Sequence, residues 1–115
     1  MATTLRISDL DLARVQRFCA GRFPEDVRDQ VRLEADVRGR SITILECRPL
    51  WSDPDAEWTR MKIAQLRFEA TDRSWTLYWA DHNERWHRYW DLDPSETVST
   101  LLDEIDEDPT CIFFG

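Results

Sequence analysis

Four residues on two predicted strands have side chains that could do acid–base chemistry. Glu46 and Arg48 alternate near the end of one strand pattern, and His87 and Tyr89 alternate near the end of another. If both strands expose the same sheet face, these side chains converge and Glu46 could orient His87 as a general base. The structural alternative is a Glu46–Arg48 ion pair and a histidine at the rim of the sheet. We favour this alternative, because nothing in the sequence fixes the distance between the two strands.

Aromatic side chains form a second candidate site, for binding rather than catalysis. All six tryptophans lie within residues 51–90, and alternation places Trp75 and Trp79 on one face of a strand. In the next strand, alternation places Trp86, Arg88 and Trp90 on one face and His87 and Tyr89 on the other.

The rings outnumber the positions that one layer of helices can cover. Some must be exposed, or the connection at residues 49–59 must fold back so that Trp51 and Trp58 cap the second face. Exposed Trp, Tyr and Arg are enriched in protein interfaces, so we expect contacts with a protein partner or a second copy. The expected contact residues are Trp58, Arg60, Trp79, Trp86, His87 and Tyr89.

Patterns for metals, covalent nucleophiles and phosphate loops are missing from the sequence. His82 and His87 straddle a predicted turn, and no pair of cysteines has the C-x-x-C spacing of a zinc site. The three glycines lie too far apart for a phosphate-binding loop, and no G-x-S-x-G motif is present. We therefore expect no metal and no cofactor.

Charge is concentrated in one segment of the chain. The net charge is −8, and residues 91–108 contain eight acids and no base, so the other fifteen acids balance the fifteen bases. Such a segment repels phosphate backbones, which makes nucleic acid an unfavourable partner. The usual explanation is a solvated helix face. The alternative is an immunity-like or nucleic-acid-mimicking protein that acts through residues 103–108.

Length and composition predict one soluble domain spanning residues 1–115. The sequence contains no apolar stretch of signal-peptide or membrane-spanning length, so we expect a cytoplasmic protein without membrane contact. Cys19, Cys47 and Cys111 each lie among apolar residues, and we expect all three to be buried thiols.

Periodicity predicts an α+β fold, an antiparallel five-stranded meander with an N-terminal and a C-terminal helix packed on one face. Gly39 and Arg40 suit a two-residue hairpin turn that sets Leu33 opposite Glu46, and a bulge near Leu45 would keep charge off the apolar face. The predicted strands cover residues 31–38, 41–47, 60–69, 75–80 and 85–90.

Capping patterns place the two helices. Ser8 precedes a helix over residues 9–20, and Asp93 caps a second helix that starts with Pro94 and stops before Pro109. The apolar tail at residues 111–114 could add an edge strand.

The sequence resembles the bacterial family catalogued as domain of unknown function 3024 over nearly its whole length. The resemblance rests on residues 43–51, residues 58–68, residues 75–81, residues 85–89 and residues 104–115. It implies a free-standing bacterial protein and brings no activity with it. The family pattern implies glycine after Asn83 and after Thr110, where this chain has Glu84 and Cys111.

These observations favour a non-enzymatic binding or regulatory module over an enzyme. The leading hypothesis is a Trp/Arg/His-rich sheet surface that holds a protein partner. The alternative is a small enzyme or small-molecule binder with Glu46, Arg48 and His87 in a pocket.

Overall fold

Two helices and five strands make up the described part of the chain. The computed structural model describes residues 7–50 and 57–114. The elements follow in the order α1 (Asp9–Gly21), a 3₁₀ turn (Glu25–Val27), β1 (Arg32–Arg38), β2 (Ser41–Pro49), β3 (Trp58–Glu69), β4 (Ser74–Ala80), β5 (Trp86–Arg88) and α2 (Val98–Glu107).

The strands form one antiparallel sheet in the order β1-β2-β3-β4-β5, so the predicted meander is confirmed. Gly39 has a φ of 59° at the first of two turn positions, a backbone conformation that glycine adopts without strain. The tight turn sets the predicted register, with Val37 opposite Ile42 and Leu33 opposite Glu46.

The predicted bulge near Leu45 is present, but the extra residue belongs to β3. Ile44 pairs with Ala64 and Leu45 pairs with Lys62, which leaves Ile63 without a partner in β2. Ile63 and Ala64 are both buried as a result. Because the β1–β2 ladder stays regular, Glu46 remains on the same face as Ile44, and the bulge does not remove it from there.

Both helices pack on one face of the sheet, as expected from their apolar stripes. The Ser8 hydroxyl caps α1 by accepting a hydrogen bond from the backbone N–H of Asp11. Val15 of α1 and Leu101 of α2 share the core with strand residues such as Leu66 and Trp75, all of them inaccessible to solvent. We call this side of the sheet the helix face and the opposite side the open face.

The predicted start of the second helix is wrong. The helix begins at Val98, and its cap is Thr97 rather than Asp93. Ser95 instead pairs with Trp75, since each backbone N–H donates to the other residue's carbonyl. These two sheet-type hydrogen bonds hold the chain at Ser95 extended, which is incompatible with a helix starting at Pro94.

The last strand is shorter than predicted, and the tail adds no strand. β5 ends at Arg88, and Trp90 lies beyond it. Asp108 ends α2 in a left-handed conformation, and its carboxylate accepts hydrogen bonds from the backbone N–H groups of Phe113 and Phe114. The tail is therefore held by a side chain rather than by a strand ladder.

Two of the three thiols are buried, and the expectation for the third is wrong. Cys19 and Cys47 are buried, whereas Cys111 is exposed. Burial raises the pKa of the Cys19 thiol to about 12.

Cys111 and Glu84 both have a positive φ, of 58° and 62°, at the two positions where the family resemblance implies glycine.

None of the described helices is long and apolar enough to cross a membrane.

Candidate functional site

The open face has more basic than acidic side chains, although the whole chain has a net charge of −8. The register assigns side chains to it, because residues that pair across strands share a face. In the five strands, its three acids are Glu34, Asp36 and Glu69. Its six bases are Arg32, Arg38, Arg60, Lys62, Arg67 and Arg88.

Three aromatic rings on the open face each lie beneath a cation. The Arg32 guanidinium carbon lies 4.1 Å from the centre of the Trp58 ring, and that of Arg67 lies 3.8 Å from the centre of the Tyr78 ring. The Lys62 ammonium nitrogen lies 5.8 Å from the centre of the Trp86 ring. Each pair combines cation–π attraction with burial of the ring. The open face is thus a layer of cations over aromatic rings.

Carboxylates neutralise one end of the open face. Glu34 contacts Arg32 at 3.3 Å and Arg60 at 3.4 Å, and Asp36 contacts Arg38 at 3.2 Å. The Cys47 thiol is buried beneath this cluster, and both its burial and nearby Glu34 raise its pKa.

At the other end, three cations have no carboxylate within ion-pair distance among the described residues. They are Lys62, Arg67 and Arg88. Gln65 holds Arg67 in place, because its side-chain carbonyl accepts from the Arg67 Nε at 2.7 Å and its amide donates to Thr43 at 3.0 Å. The terminal nitrogens of Arg67 remain available as donors in the plane of the guanidinium.

A second cluster lies on the helix face, near the end of β4. The His87 ring stacks on Trp79 with ring centres 4.7 Å apart, and Trp90 meets Trp79 edge-on at 6.1 Å. The His87 Nε2 and the Asp81 Oδ2 are 2.7 Å apart. An ionised carboxylate only accepts hydrogen bonds, so Nε2 carries the proton and donates.

Asp81 organises the turn that positions this cluster. Its Oδ1 accepts hydrogen bonds from the backbone N–H groups of Asn83 and Arg85. The hydrogen bond from His87, with smaller contributions from these N–H groups, lowers the pKa of Asp81 to about 2. The imidazole is therefore fixed by Asp81, but among the described residues no hydroxyl or thiol bonds to its other nitrogen. The pair alone provides an oriented base without a nucleophile.

The four residues considered for acid–base chemistry do not form one pocket. Glu46 forms an ion pair with Arg48 at 3.3 Å, and the strands β3 and β4 separate this pair from His87. Three strand spacings correspond to about 14 Å. Tyr89 is buried, and its hydroxyl donates to Glu104 at 2.8 Å. The favoured alternative, a Glu46–Arg48 ion pair, is present, and the partner of His87 is Asp81 rather than Glu46.

The structure divides the expected contact residues between the two faces. Trp58, Arg60 and Trp86 lie on the open face, whereas Trp79 and His87 lie on the helix face. Only Trp75 is fully buried among the described tryptophans, and Trp90 is 62% exposed. Trp51 lies outside the described residues. The expectation that Trp90 shares a face with Trp86 is wrong, because the strand ends between them and Trp90 contacts Trp79.

Sequence reasoning missed part of both clusters. Arg32 and Arg67 alternate with apolar residues, and this alternation was a usable signal for the open face. Asp81 lies six residues from His87 across a turn, and its role depends on the turn's conformation.

Acids of the segment at residues 91–108 have several different roles. Glu104 accepts a hydrogen bond from the Tyr89 hydroxyl, and the Asp108 carboxylate accepts hydrogen bonds from the backbone of the tail. Asp106 lies 3.9 Å from Arg22, and Asp103 and Glu107 are exposed. Part of the acidic segment therefore serves the fold.

Comparison with protein families identifies the chain. The model of the family described as "Domain of unknown function (DUF3024)" matches residues 2–115. The chain belongs to this family. Searches of curated proteins and of solved structures found no match for this DUF3024 member. The family assignment brings no activity, so a function has to be proposed from the two clusters.

Proposed function

We propose that this protein is a non-enzymatic binding module whose open face holds an acidic segment of a partner protein. One observation carries the proposal: the strand residues of that face include six bases and only three acids, although the whole chain has a net charge of −8. A positive surface on an acidic protein attracts negatively charged partners locally while the rest of the molecule repels them, which favours one orientation of binding.

Carboxylates are the groups that the cations are best prepared to bind. The guanidinium groups of Arg32 and Arg67 lie over the rings of Trp58 and Tyr78, and the N–H donors of each guanidinium lie in its own plane. A carboxylate can accept hydrogen bonds from two of these donors side by side. Because the aromatic ring already restricts the arginine side chain, binding a carboxylate costs less conformational entropy.

A protein partner fits the open face better than single-stranded nucleic acid. Bases bind by stacking on free aromatic rings, but the rings of Trp58, Tyr78 and Trp86 already contact cations of the chain.

Binding of poly-L-glutamate tests this proposal. A Lys62→Glu, Arg67→Glu double variant replaces two cations that lack a carboxylate partner among the described residues. We expect at least about a tenfold loss of affinity, because each exposed charge pair contributes about 0.2–1 kcal/mol and reversal adds repulsion. The expected affinity also falls as salt concentration rises.

A matched control separates the open face from general charge effects. The double variant Arg14→Glu, Arg17→Glu makes the same change in net charge on α1, on the other side of the sheet. We expect it to retain most of the poly-L-glutamate affinity. Equal losses in both double variants would contradict the proposal, and so would tighter binding of oligothymidylate than of poly-L-glutamate to the wild-type protein.

A further inference from the structure

The outer edge of β1 offers unpaired backbone groups. Within the described residues, β1 is an edge strand of the sheet and pairs only with β2. The two-residue turn makes Arg38 and Ser41 a hydrogen-bonded pair, and the alternation of an antiparallel ladder then points the backbone N–H and C=O groups of Leu33, Ala35 and Val37 outward. Among the described residues, nothing outside the β1–β2 ladder forms a backbone hydrogen bond with residues 32–38.

A groove runs between this edge and α1. It has a volume of about 380 Å³ and a mixed lining of apolar, polar and charged side chains: Gln16, Cys19 and Ala20 of α1, Leu33, Glu34 and Ala35 of β1, and Arg60 of β3. A smaller cavity of about 160 Å³ shares Cys19, Ala20 and Leu33 with it. A strand placed beside β1 would direct alternate side chains toward the helix face, where small apolar groups would contact Cys19, Ala20, Leu33 and Ala35.

The charges of β1 disfavour pairing with a second copy centred on Ala35, and they define a complementary strand. Four charged residues of β1 lie on the open face in the order base, acid, acid, base: Arg32, Glu34, Asp36 and Arg38. Antiparallel pairing of two β1 strands about Ala35 sets Arg32 opposite Arg38 and Glu34 opposite Asp36, and like charges directly opposite each other are destabilising. The complementary strand carries acid, base, base and acid at these positions.

We propose that β1 binds an extended segment of a partner protein as a sixth, antiparallel strand. The segment alternates small apolar residues, which enter the groove beside α1, with charged residues in the order acid, base, base, acid. Backbone hydrogen bonds to Leu33, Ala35 and Val37 supply affinity, and the two rows of side chains supply specificity. This edge site does not depend on Lys62 or Arg67 of the open face.

Two short peptides test the edge site with the protein unchanged. The first, Glu-Val-Lys-Val-Lys-Val-Glu, complements β1, and the second, Lys-Val-Glu-Val-Glu-Val-Lys, reverses every charge. We expect the first to bind at least about tenfold more tightly. On saturation, backbone amide hydrogen exchange at Leu33, Ala35 and Val37 should slow at least about tenfold, because these amides become hydrogen-bonded. A first peptide that is N-methylated at each valine should lose binding.

Three results would overturn the edge site: equal affinity for the two peptides, no slowing of exchange at the three amides, or unchanged binding of the N-methylated peptide. The double variant Lys62→Glu, Arg67→Glu should bind the first peptide as the wild type does. If it does while poly-L-glutamate binding is lost, both proposals hold. If the peptides fail and poly-L-glutamate binds, only the edge site is refuted.

Discussion

Glycine substitutions at Glu84 and Cys111 should stabilise the protein. Both residues have a left-handed backbone, with φ of 62° and 58°, and both side chains are exposed. Their backbone N–H groups donate to the carbonyls of Asp81 and Asp108, bonds that glycine retains. The substitutions therefore remove a steric cost without removing a contact within the described fold. The change consists of Glu84→Gly, Cys111→Gly and the combination of the two.

The magnitude follows from two opposing terms. A left-handed backbone costs a residue with a Cβ about 1–2 kcal/mol, whereas glycine loses about 0.5–1 kcal/mol more conformational entropy when the chain folds. The difference predicts a gain of about 0.5–1 kcal/mol in the free energy of unfolding for each substitution. Glu84 and Cys111 share no hydrogen-bond partner among residues 7–50 and 57–114, so the gains should add to about 1–2 kcal/mol and raise Tm by several degrees.

Urea and thermal unfolding of the three variants measure these gains. Asp108→Gly is the matched control, because Asp108 also has a positive φ but its carboxylate holds the backbone of Phe113 and Phe114. We expect that control to be destabilised, since the lost hydrogen bonds outweigh the relief of strain. Unchanged or lower stability of the double variant would refute the steric reasoning.

Two other predictions concern ionisation and thiol access. The folded pKa of Asp81 lies below its ordinary value of 3.8, so its interactions stabilise the protein fully above that pH and are lost as the pH falls through about 2. The wild type should therefore lose more stability than Asp81→Asn between these pH values in acid unfolding monitored by circular dichroism, and parallel curves would contradict the role of Asp81. In the native protein a thiol reagent should label Cys111 rapidly and Cys19 and Cys47 only after unfolding, as counted by mass spectrometry. Rapid labelling of all three thiols would contradict the burial of Cys19 and Cys47.

Local patterns predicted most of the sheet because they act over short distances. Gly39 fixes the first hairpin, and alternation from Val31 to Val37 fixes its apolar face. These local patterns did not predict the residue at which α2 begins. Asp93 and Pro94 form a good helix start locally, but pairing of Ser95 with Trp75, twenty residues earlier, keeps that stretch extended.

The candidate sites were harder to predict than the fold. Alternation tells which residues share a face of one strand, and it does not tell how far apart two strands lie. The sequence alone therefore allows Glu46 and His87 to lie side by side, whereas two strands separate them in the sheet. The cations over Trp58 and Tyr78 come from other strands, so they become visible only once the register is known.

The indole N–H signals of the tryptophans give the most direct measurement of where an acidic partner binds. When poly-L-glutamate is added to the protein in a two-dimensional NMR titration, we expect the signals of Trp58 and Trp86 to shift, because both rings lie under cations of the open face. The signal of Trp75, which is fully buried in the core, should stay in place. Shifts confined to Trp79 and Trp90, or no shift at saturating poly-L-glutamate, would contradict binding at the open face.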